Sequence, residues 1–154
     1  MGKRSVKTNK NIYQLCREEA GLTREKASEL LQFISADRIE KVESGHSAPH
    51  PDEILLMAEC YGHPELKNHF CTVECPIGQK HVKPVKEKEL TMIALEILNS
   101  LNTLSKDKER LVEIAADGQL TEDELKDFSG IREKLDAISA TVQSLYLWME
   151  KHGI

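Results

Sequence analysis

Residues 22–45 read LTREKASELLQFISADRIEKVESG, and this run indicates how the N-terminal part of the chain is built. Thr23 and Ser35 are residue types that favour helix N-termini, because their hydroxyl oxygens accept hydrogen bonds from free backbone N–H groups. Apolar residues follow each of them at helical spacing, which predicts two short helices joined by the tight connection 32–34. The residues predicted to face inward are Ala27, Leu30, Leu31, Ile39 and Val42.

Helix start and stop signals flank this run on both sides. Asn11 is predicted to cap a helix that extends to about Ala20, and Gly21 ends it. Pro51 suits the first turn of another helix, which Gly62 ends. The N-terminal part is therefore predicted to consist of short helices with short connections.

A change in composition divides the chain. Residues 76–88, PIGQKHVKPVKEK, contain two prolines and a glycine with little apolar periodicity, which is typical of a linker. We therefore predict a first domain at residues 1–75, the linker at 76–88, and a second domain at 89–154.

The second domain carries two apolar stripes at three- and four-residue steps, over residues 90–114 and 125–149. They predict long amphipathic helices that are broken at Asp117-Gly118 and fold back as an antiparallel hairpin. Some apolar residues, such as Leu98, Leu147 and Trp148, are left uncovered by one hairpin. We therefore expect it to pack on a second copy or on the first domain. The whole fold is predicted to be all-α.

The run 22–45 meets the requirements of a helix-turn-helix, in which one short helix holds another so that its polar outer side can enter the DNA major groove. It resembles the phage-repressor/Cro-type helix-turn-helix, also called the XRE family, over roughly residues 11–62. The segment ILLMAECYG at 54–62 looks like the last core helix of that family. The matching residues within the run are Leu22, Thr23, Ser28, Leu31, Ser35, Ile39, Val42, Glu43, Ser44 and Gly45.

The resemblance implies a five-helix N-terminal domain that binds double-stranded DNA as a sequence-specific transcriptional regulator. Its recognition helix would begin at Ser35 and present Ala36, Asp37 and Arg38 to base edges, with Lys41 one turn further on. Arg38 is the foremost candidate, because a guanidinium can donate two hydrogen bonds to guanine, and Asp37 could accept one from cytosine.

Backbone contacts are implied at other positions. Arg24, near the start of the first helix of the motif, and His46, after the recognition helix, match positions that touch phosphates in the family. Lys3, Arg4 and Lys7 could form a basic arm over phosphates or in the minor groove. A homodimer formed through the hairpin would place two recognition helices on a two-fold symmetric site.

Two features depart from the family pattern. The turn is one residue longer, with Gln32-Phe33 where a glycine is usual, and the recognition helix carries the acids Asp37, Glu40 and Glu43. Acidic side chains near phosphates weaken DNA binding. A helix-turn-helix fold that serves as a protein-interaction module is therefore the alternative.

The composition fits a globular, cytoplasmic protein. The chain has 154 residues, of which 40% are hydrophobic and 31% charged, and its net charge is -5. The charge is uneven, since residues 1–30 carry seven basic side chains against four acidic ones. No apolar run approaches the roughly 20 residues that span a bilayer. No membrane partner is expected, and because no catalytic motif is found, an enzyme is not expected either.

The four cysteines, Cys16, Cys60, Cys71 and Cys75, are expected to be reduced in a cytoplasmic chain. Four thiolates could hold zinc or an iron–sulfur cluster. However, Cys71 and Cys75 have CxxxC rather than CxxC spacing, and Cys16 and Cys60 occupy helix positions that suit a small apolar side chain. Core packing is therefore favoured, and no cofactor is expected. The alternative function is a helical scaffold that does not bind DNA, or a sensor of metal or redox state that uses the four cysteines.

Residues 113–124, EIAADGQLTEDE, resemble part of a calcium-binding loop, with Gly118 at its glycine position. Glu113 replaces the usual first Asp, and Ala115 occupies an early ligand position. A helix that ends at Gly118, followed by a capping box of Thr121 and Glu124, is the favoured explanation.

Overall fold

The computed structural model describes residues 9–116 and 121–154, and every regular element in these ranges is helical. The predicted all-α class is therefore confirmed for the described part of the chain. The chain divides into two compact units, Met1–Pro84 and Val85–Ile154. The division falls inside the segment predicted as the linker.

Six short α-helices lie in the first unit from residue 9 onward. Three of them begin at the predicted caps: Asn11 accepts from the backbone N–H of Gln14 at 3.0 Å, Thr23 from Lys26 at 3.1 Å and Ser35 from Arg38 at 3.2 Å. In chain order the elements are α1 (Ile12–Glu19), α2 (Arg24–Leu31), α3 (Ala36–Glu43), α4 (Pro51–Tyr61), α5 (Glu65–His69), a π-helical segment (Phe70–Glu74) and α6 (Gly78–His81).

Helices α1, α2, α3, α4 and α5 share one apolar core. Four of the five residues predicted to face inward from α2 and α3 are buried, but Leu30 is 53% exposed. The prediction for Leu30 was wrong because Ala27 and Leu31, at i and i+4, define the inner face of this short helix. The buried core residues are Tyr13, Cys16, Ala27, Leu31, Ile34, Ile39, Val42, Ile54, Met57, Ala58, Tyr61 and Leu66.

The turn between α2 and α3 has an unusual backbone. Gln32 ends α2 with φ 58°, and it is the one non-glycine residue with positive φ among the described residues. This conformation explains why glycine is usual there, since a side chain at positive φ is strained. The added length of the turn places Ile34 in the core and leaves Phe33 86% exposed.

The predicted linker begins with ordered structure. Helix α6, at residues 78–81, packs on the π-helical segment so closely that a Cβ on Gly78 would lie 2.1 Å from the carbonyl oxygen of Cys71. Only glycine permits this approach. Residues up to Pro84 therefore belong to the first unit.

The second unit is built from α7 (Leu90–Lys106), α8 (Lys108–Ala115) and α9 (Glu122–Lys151). Its ion pairs show the predicted antiparallel arrangement, because residues before and along α7 and α8 pair in reverse order with residues of α9. Lys151 reaches Glu87 at 2.7 Å, Lys134 reaches Asp107 at 2.5 Å, and Arg110 reaches Asp127 at 2.7 Å.

Helix α9 begins at the predicted capping box. The side chain of Thr121 accepts from the backbone N–H of Glu124 at 3.4 Å, and the carboxylate of Glu124 accepts from the backbone N–H of Thr121 at 3.0 Å. The predicted break at Asp117-Gly118, and with it the middle of the calcium-loop pattern, lies outside the described residues. Within them, α7 and α8 are separated at Asp107.

The second unit buries few apolar side chains and leaves many exposed. Among its described residues, the buried apolar ones are Ile93, Ile114, Ile131 and Leu147. Its exposed ones, which include several from the predicted stripes, are Leu90, Met92, Leu95, Leu98, Leu101, Val112, Leu125, Phe128, Leu135, Tyr146 and Ile154. The prediction that the hairpin leaves Leu147 uncovered was wrong, since this side chain is only 7% exposed within the unit. No helix in the described part of the chain is both long and apolar enough to cross a membrane.

Candidate nucleic-acid interface

Helix α3 is fixed from behind by a buried ion pair. Glu43, at its C-terminal end, accepts two hydrogen bonds from Arg17 of α1, at 2.5 and 3.0 Å. The side chains are only 6% exposed for Arg17 and 1% for Glu43. Burial opposes the charge on Arg17, yet the hydrogen bond and charge of Glu43 outweigh it and raise the pKa of Arg17. The acid predicted to weaken DNA binding is thus an internal anchor.

Arg24, predicted to touch phosphate, joins this network. Its Nε donates to Glu43 at 2.8 Å, and its Nη1 donates to Glu40 at 3.1 Å. Its side chain remains 30% exposed. Arg24 therefore links the start of α2 to α3 while part of it faces solvent, and its contact with phosphate stays a prediction.

Arg38 is held against the next helix instead of extending outward. It donates to both carboxylate oxygens of Glu53 on α4, each at 2.7 Å, to Ser47 Oγ at 2.6 Å and to the carbonyl of Ala48 at 2.9 Å. The hydrogen bond from Arg38 lowers the pKa of Glu53 against the opposing effect of burial. Four of the five guanidinium donors are used within the domain. Base reading by Arg38 thus stays a prediction that requires this pair to open.

The outer side of α3 is formed by other predicted site residues. Asp37 and Lys41 pair with each other at 2.7 Å, and their side chains are 72% and 57% exposed. Ser35 is exposed at the start of the helix, and Ala36 is half-buried beside it. This surface is close to electrically neutral, because each charge on it has an opposite partner.

The loop after α3 brings one more predicted residue to the same surface. His46 is exposed, and its Nδ1 lies 2.6 Å from the hydroxyl of Ser44, which ends α3. The predicted basic arm with Lys3, Arg4 and Lys7 lies outside the described residues.

The four cysteines do not form a common site in the structure. Cys16 is buried on α1, whereas Cys60, Cys71 and Cys75 are half-buried on α4, in the π-helical segment and just after it. Burial raises the pKa of the Cys60 thiol. Among the described residues, no group of three metal-ligating side chains contains more than one of these cysteines.

The internal roles of two acidic residues, Glu43 and Glu53, were not predicted from the sequence. Glu43 lies four residues beyond the buried Ile39, so the helical period places it beside the inner face of α3. Glu53 lies in the first turn of α4 and complements the positive end of that helix. It does so by accepting from the backbone N–H of His50 at 2.7 Å, and it binds Arg38 with the same carboxylate.

A comparison with known protein families identifies the same part of the chain as the functional domain. A family model described as a helix-turn-helix domain matches residues 14–69, from α1 to the end of α5. No curated protein and no solved structure matches the chain. Residues 14–69 therefore form a helix-turn-helix domain, which supports a role in DNA binding.

Proposed function

We propose that this protein is a dimeric, sequence-specific DNA-binding transcriptional regulator of the phage-repressor/Cro (XRE) type, with α3 as its recognition helix. The observation that carries the proposal is the way α3 is held. The buried pair of Arg17 and Glu43 fixes its inner side, while Asp37 and Lys41 occupy a free outer side. A rigid helix with an exposed polar face is what major-groove recognition requires.

Direct contacts with bases are assigned to the outer residues of α3. Asp37 can accept from the amino group of cytosine, and Lys41 can donate to guanine or to a phosphate. Their mutual ion pair is solvent-exposed and worth at most about 1 kcal/mol, so DNA can replace it at small cost. Arg38, through Glu53 and the loop carbonyl of Ala48, is assigned to positioning α3 on α4.

The exposed face of α3 supplies little net positive charge, so other basic residues must neutralise phosphates. Lys3, Arg4 and Lys7 at the N-terminus are the strongest candidates in the sequence. Binding is therefore expected to be weak at physiological salt for a single domain, because phosphate neutralisation supplies much of the affinity. Two linked domains would overcome this through avidity.

The second unit is proposed to supply the dimer contact. Leu95, Leu98 and Leu101 on α7 are each more than half exposed. These leucines follow one another at three-residue steps and so form a contiguous apolar row. Single apolar residues on a surface need no partner, but a contiguous row indicates an interaction site. An antiparallel helix pair with a small core of its own commonly completes that core by pairing with a second copy.

Selection from random duplexes, followed by sequencing, tests the function. The proposal predicts recovery of an inverted repeat at low salt. Asp37→Asn should relax one base position per half-site, at a cost of about 1–3 kcal/mol. Lys41→Ala should do the same if Lys41 contacts guanine, and should weaken binding to all sequences alike if it contacts a phosphate. Glu29→Gln on the exposed part of α2 is the matched control and should leave the selected sequence unchanged. If the chain binds no duplex even at low salt, the protein-interaction alternative replaces this proposal.

A pair of variants separates the two roles of Arg38. If Arg38 positions α3, then Arg38→Ala and Glu53→Gln should weaken binding to all sequences alike. If Arg38 reads a base, Glu53→Gln releases it and should preserve or raise affinity, whereas Arg38→Ala should relax one base position. The measurement is the binding constant for the selected site and for each single-base variant of it.

Light scattering coupled to size exclusion tests the dimer. Leu98→Glu should convert the dimer to a monomer, because it places a charge in the apolar contact. Gln143→Glu, which adds the same charge at an exposed position on α9 outside this row, is the control and should remain dimeric. A wild-type chain that is monomeric at micromolar concentration would exclude the second unit as the dimer contact.

A further inference from the structure

A cluster of three metal-ligating side chains lies where α1 meets the connection between α4 and α5. Cys16 comes from α1, His63 from the residue after Gly62, and Glu65 from the start of α5. The cysteine Sγ, an imidazole nitrogen and a carboxylate oxygen all lie within 4.8 Å of one another. No other such group occurs in residues 9–116 and 121–154.

The separations suit a small divalent ion. A tetrahedral zinc ion with bonds of about 2.0–2.3 Å places its ligand atoms roughly 3.3–3.7 Å apart. The Nδ1 of His63 is already 2.8 Å from a carboxylate oxygen of Glu65. Small side-chain movements would therefore bring all three atoms to bonding distance of one ion, with the fourth position left for water.

A fourth residue gives independent support. The Nε2 of His63 lies 3.5 Å from the carboxylate of Glu19 on α1, on the side of the ring opposite Nδ1. A histidine that binds metal through one ring nitrogen usually donates its other N–H to a carboxylate, which orients the ring. Glu19 lies on the correct side of the ring for this role, at a distance that a small side-chain movement would close to a hydrogen bond, and Nδ1 is directed at Glu65.

The cluster is closed to solvent on the side of the thiol and partly open on the side of the imidazole and the carboxylate. Cys16 is 4% exposed, whereas the side chains of His63 and Glu65 are 17% and 27% exposed. The thiol is thus shielded from solvent, and an ion can enter from the side of the imidazole and the carboxylate. Soft sulfur with nitrogen and oxygen donors favours a first-row transition ion of the zinc type over calcium or magnesium.

We propose that Cys16, His63 and Glu65 bind a divalent transition-metal ion, with zinc as the natural fit, and that Glu19 orients the imidazole. The ion fastens α1 to the α4–α5 connection. Because Arg17 follows Cys16 directly and binds Glu43, the metal also steadies the helix that supports α3. The ligand set contains one of the four cysteines and differs from a four-cysteine site.

Cobalt titration of the full, untagged chain tests the site. Co²⁺ is the probe, since thiolate coordination gives a charge-transfer band in the near ultraviolet. One Co²⁺ per chain is expected, and Zn²⁺ should displace it. His63→Gln and Glu65→Gln, both at partly exposed positions that tolerate the change, should each weaken binding at least about tenfold, and Glu19→Gln by a smaller factor.

Matched cysteine variants identify the thiol. Cys71→Ser and Cys75→Ser should keep the band, and Cys16→Ser should lose it while circular dichroism reports whether that variant is folded. A second readout is hydrogen exchange, in which Zn²⁺ should slow exchange in α1 and α5 of the wild type but not of His63→Gln. Loss of the band in Cys71→Ser, an unchanged Co²⁺ affinity in His63→Gln, or failure of the wild type to bind Co²⁺ would each overturn the proposal.

Discussion

Replacing Glu43 with glutamine removes the charge that Arg17 requires, while the size of the side chain is kept. The two side chains share hydrogen bonds at 2.5 and 3.0 Å and are almost entirely excluded from water. Removing one partner of such a pair leaves an uncompensated buried charge, which costs about 3–5 kcal/mol. The folding equilibrium of the first unit should therefore shift by a factor of roughly 100 to 4,000.

Glu40→Gln is the matched control for this prediction. Glu40 lies one turn earlier on α3 and pairs with Arg24 at 3.1 Å, but its side chain is 59% exposed. An exposed pair contributes at most about 1 kcal/mol, so this variant should remain close to wild type. The two substitutions make the same chemical change on the same helix and differ in burial.

Hydrogen exchange during urea unfolding is the assay, because it reports α1 and α3 separately from the second unit. Glu43→Gln should lower the urea midpoint for both helices, and fluorescence of the single Trp148 on α9 should keep its own midpoint. Arg17→Met combined with Glu43→Met should recover most of the loss, since an apolar pair replaces the ion pair. Equal midpoints for Glu43→Gln and Glu40→Gln would refute the reasoning.

Other predictions concern backbone and acid stability. Gln32→Gly should stabilise the first unit by about 1 kcal/mol in urea unfolding, because it relieves a positive φ of 58°. Gly78→Ala should destabilise it by about 1–3 kcal/mol, because the added methyl meets a backbone carbonyl. By contrast, Gly130→Ala, with open space around it in α9, should stabilise the second unit by about 0.5–1 kcal/mol. The pKa of Glu53 is lowered chiefly by its hydrogen bond from Arg38. The pair therefore stabilises the folded state fully above about pH 4.5, the ordinary pKa of a glutamate. This stabilisation is lost as the pH falls through the lowered pKa. The midpoint temperature of thermal unfolding should therefore fall more steeply between pH 6 and pH 3 for the wild type than for Glu53→Gln.

Local signals in the sequence predicted the elements well. Ser35 and Thr23 cap α3 and α2 because a hydroxyl before a helix binds the same backbone groups in almost any context. Ile39 and Val42 are buried because the helical period alone places them on one side. Such features depend on neighbours within about four residues, and the sequence contains that information directly.

Long-range electrostatics was harder to predict. The fate of Glu43 depends on Arg17, which is 26 residues earlier in the chain and approaches only when α1 packs on α3. Arg38 is likewise drawn toward Glu53 by the packing of α4, so a side chain on the predicted reading face turns sideways. Acidic residues counted along α3 therefore gave a misleading estimate of the charge that DNA would meet.

The bond between Arg38 and Glu53 has a consequence for how specificity can change over evolution. If α3 reads DNA as proposed, positions 37 and 41 can vary, because their exposed side chains pair with each other, and new target sequences would be acquired there one substitution at a time. Position 38 has no such freedom, because its partner Glu53 lies on α4 and also caps the first turn of that helix. Homologous chains should accordingly exchange residues 38 and 53 together, while their neighbours on the outer side of α3 diverge.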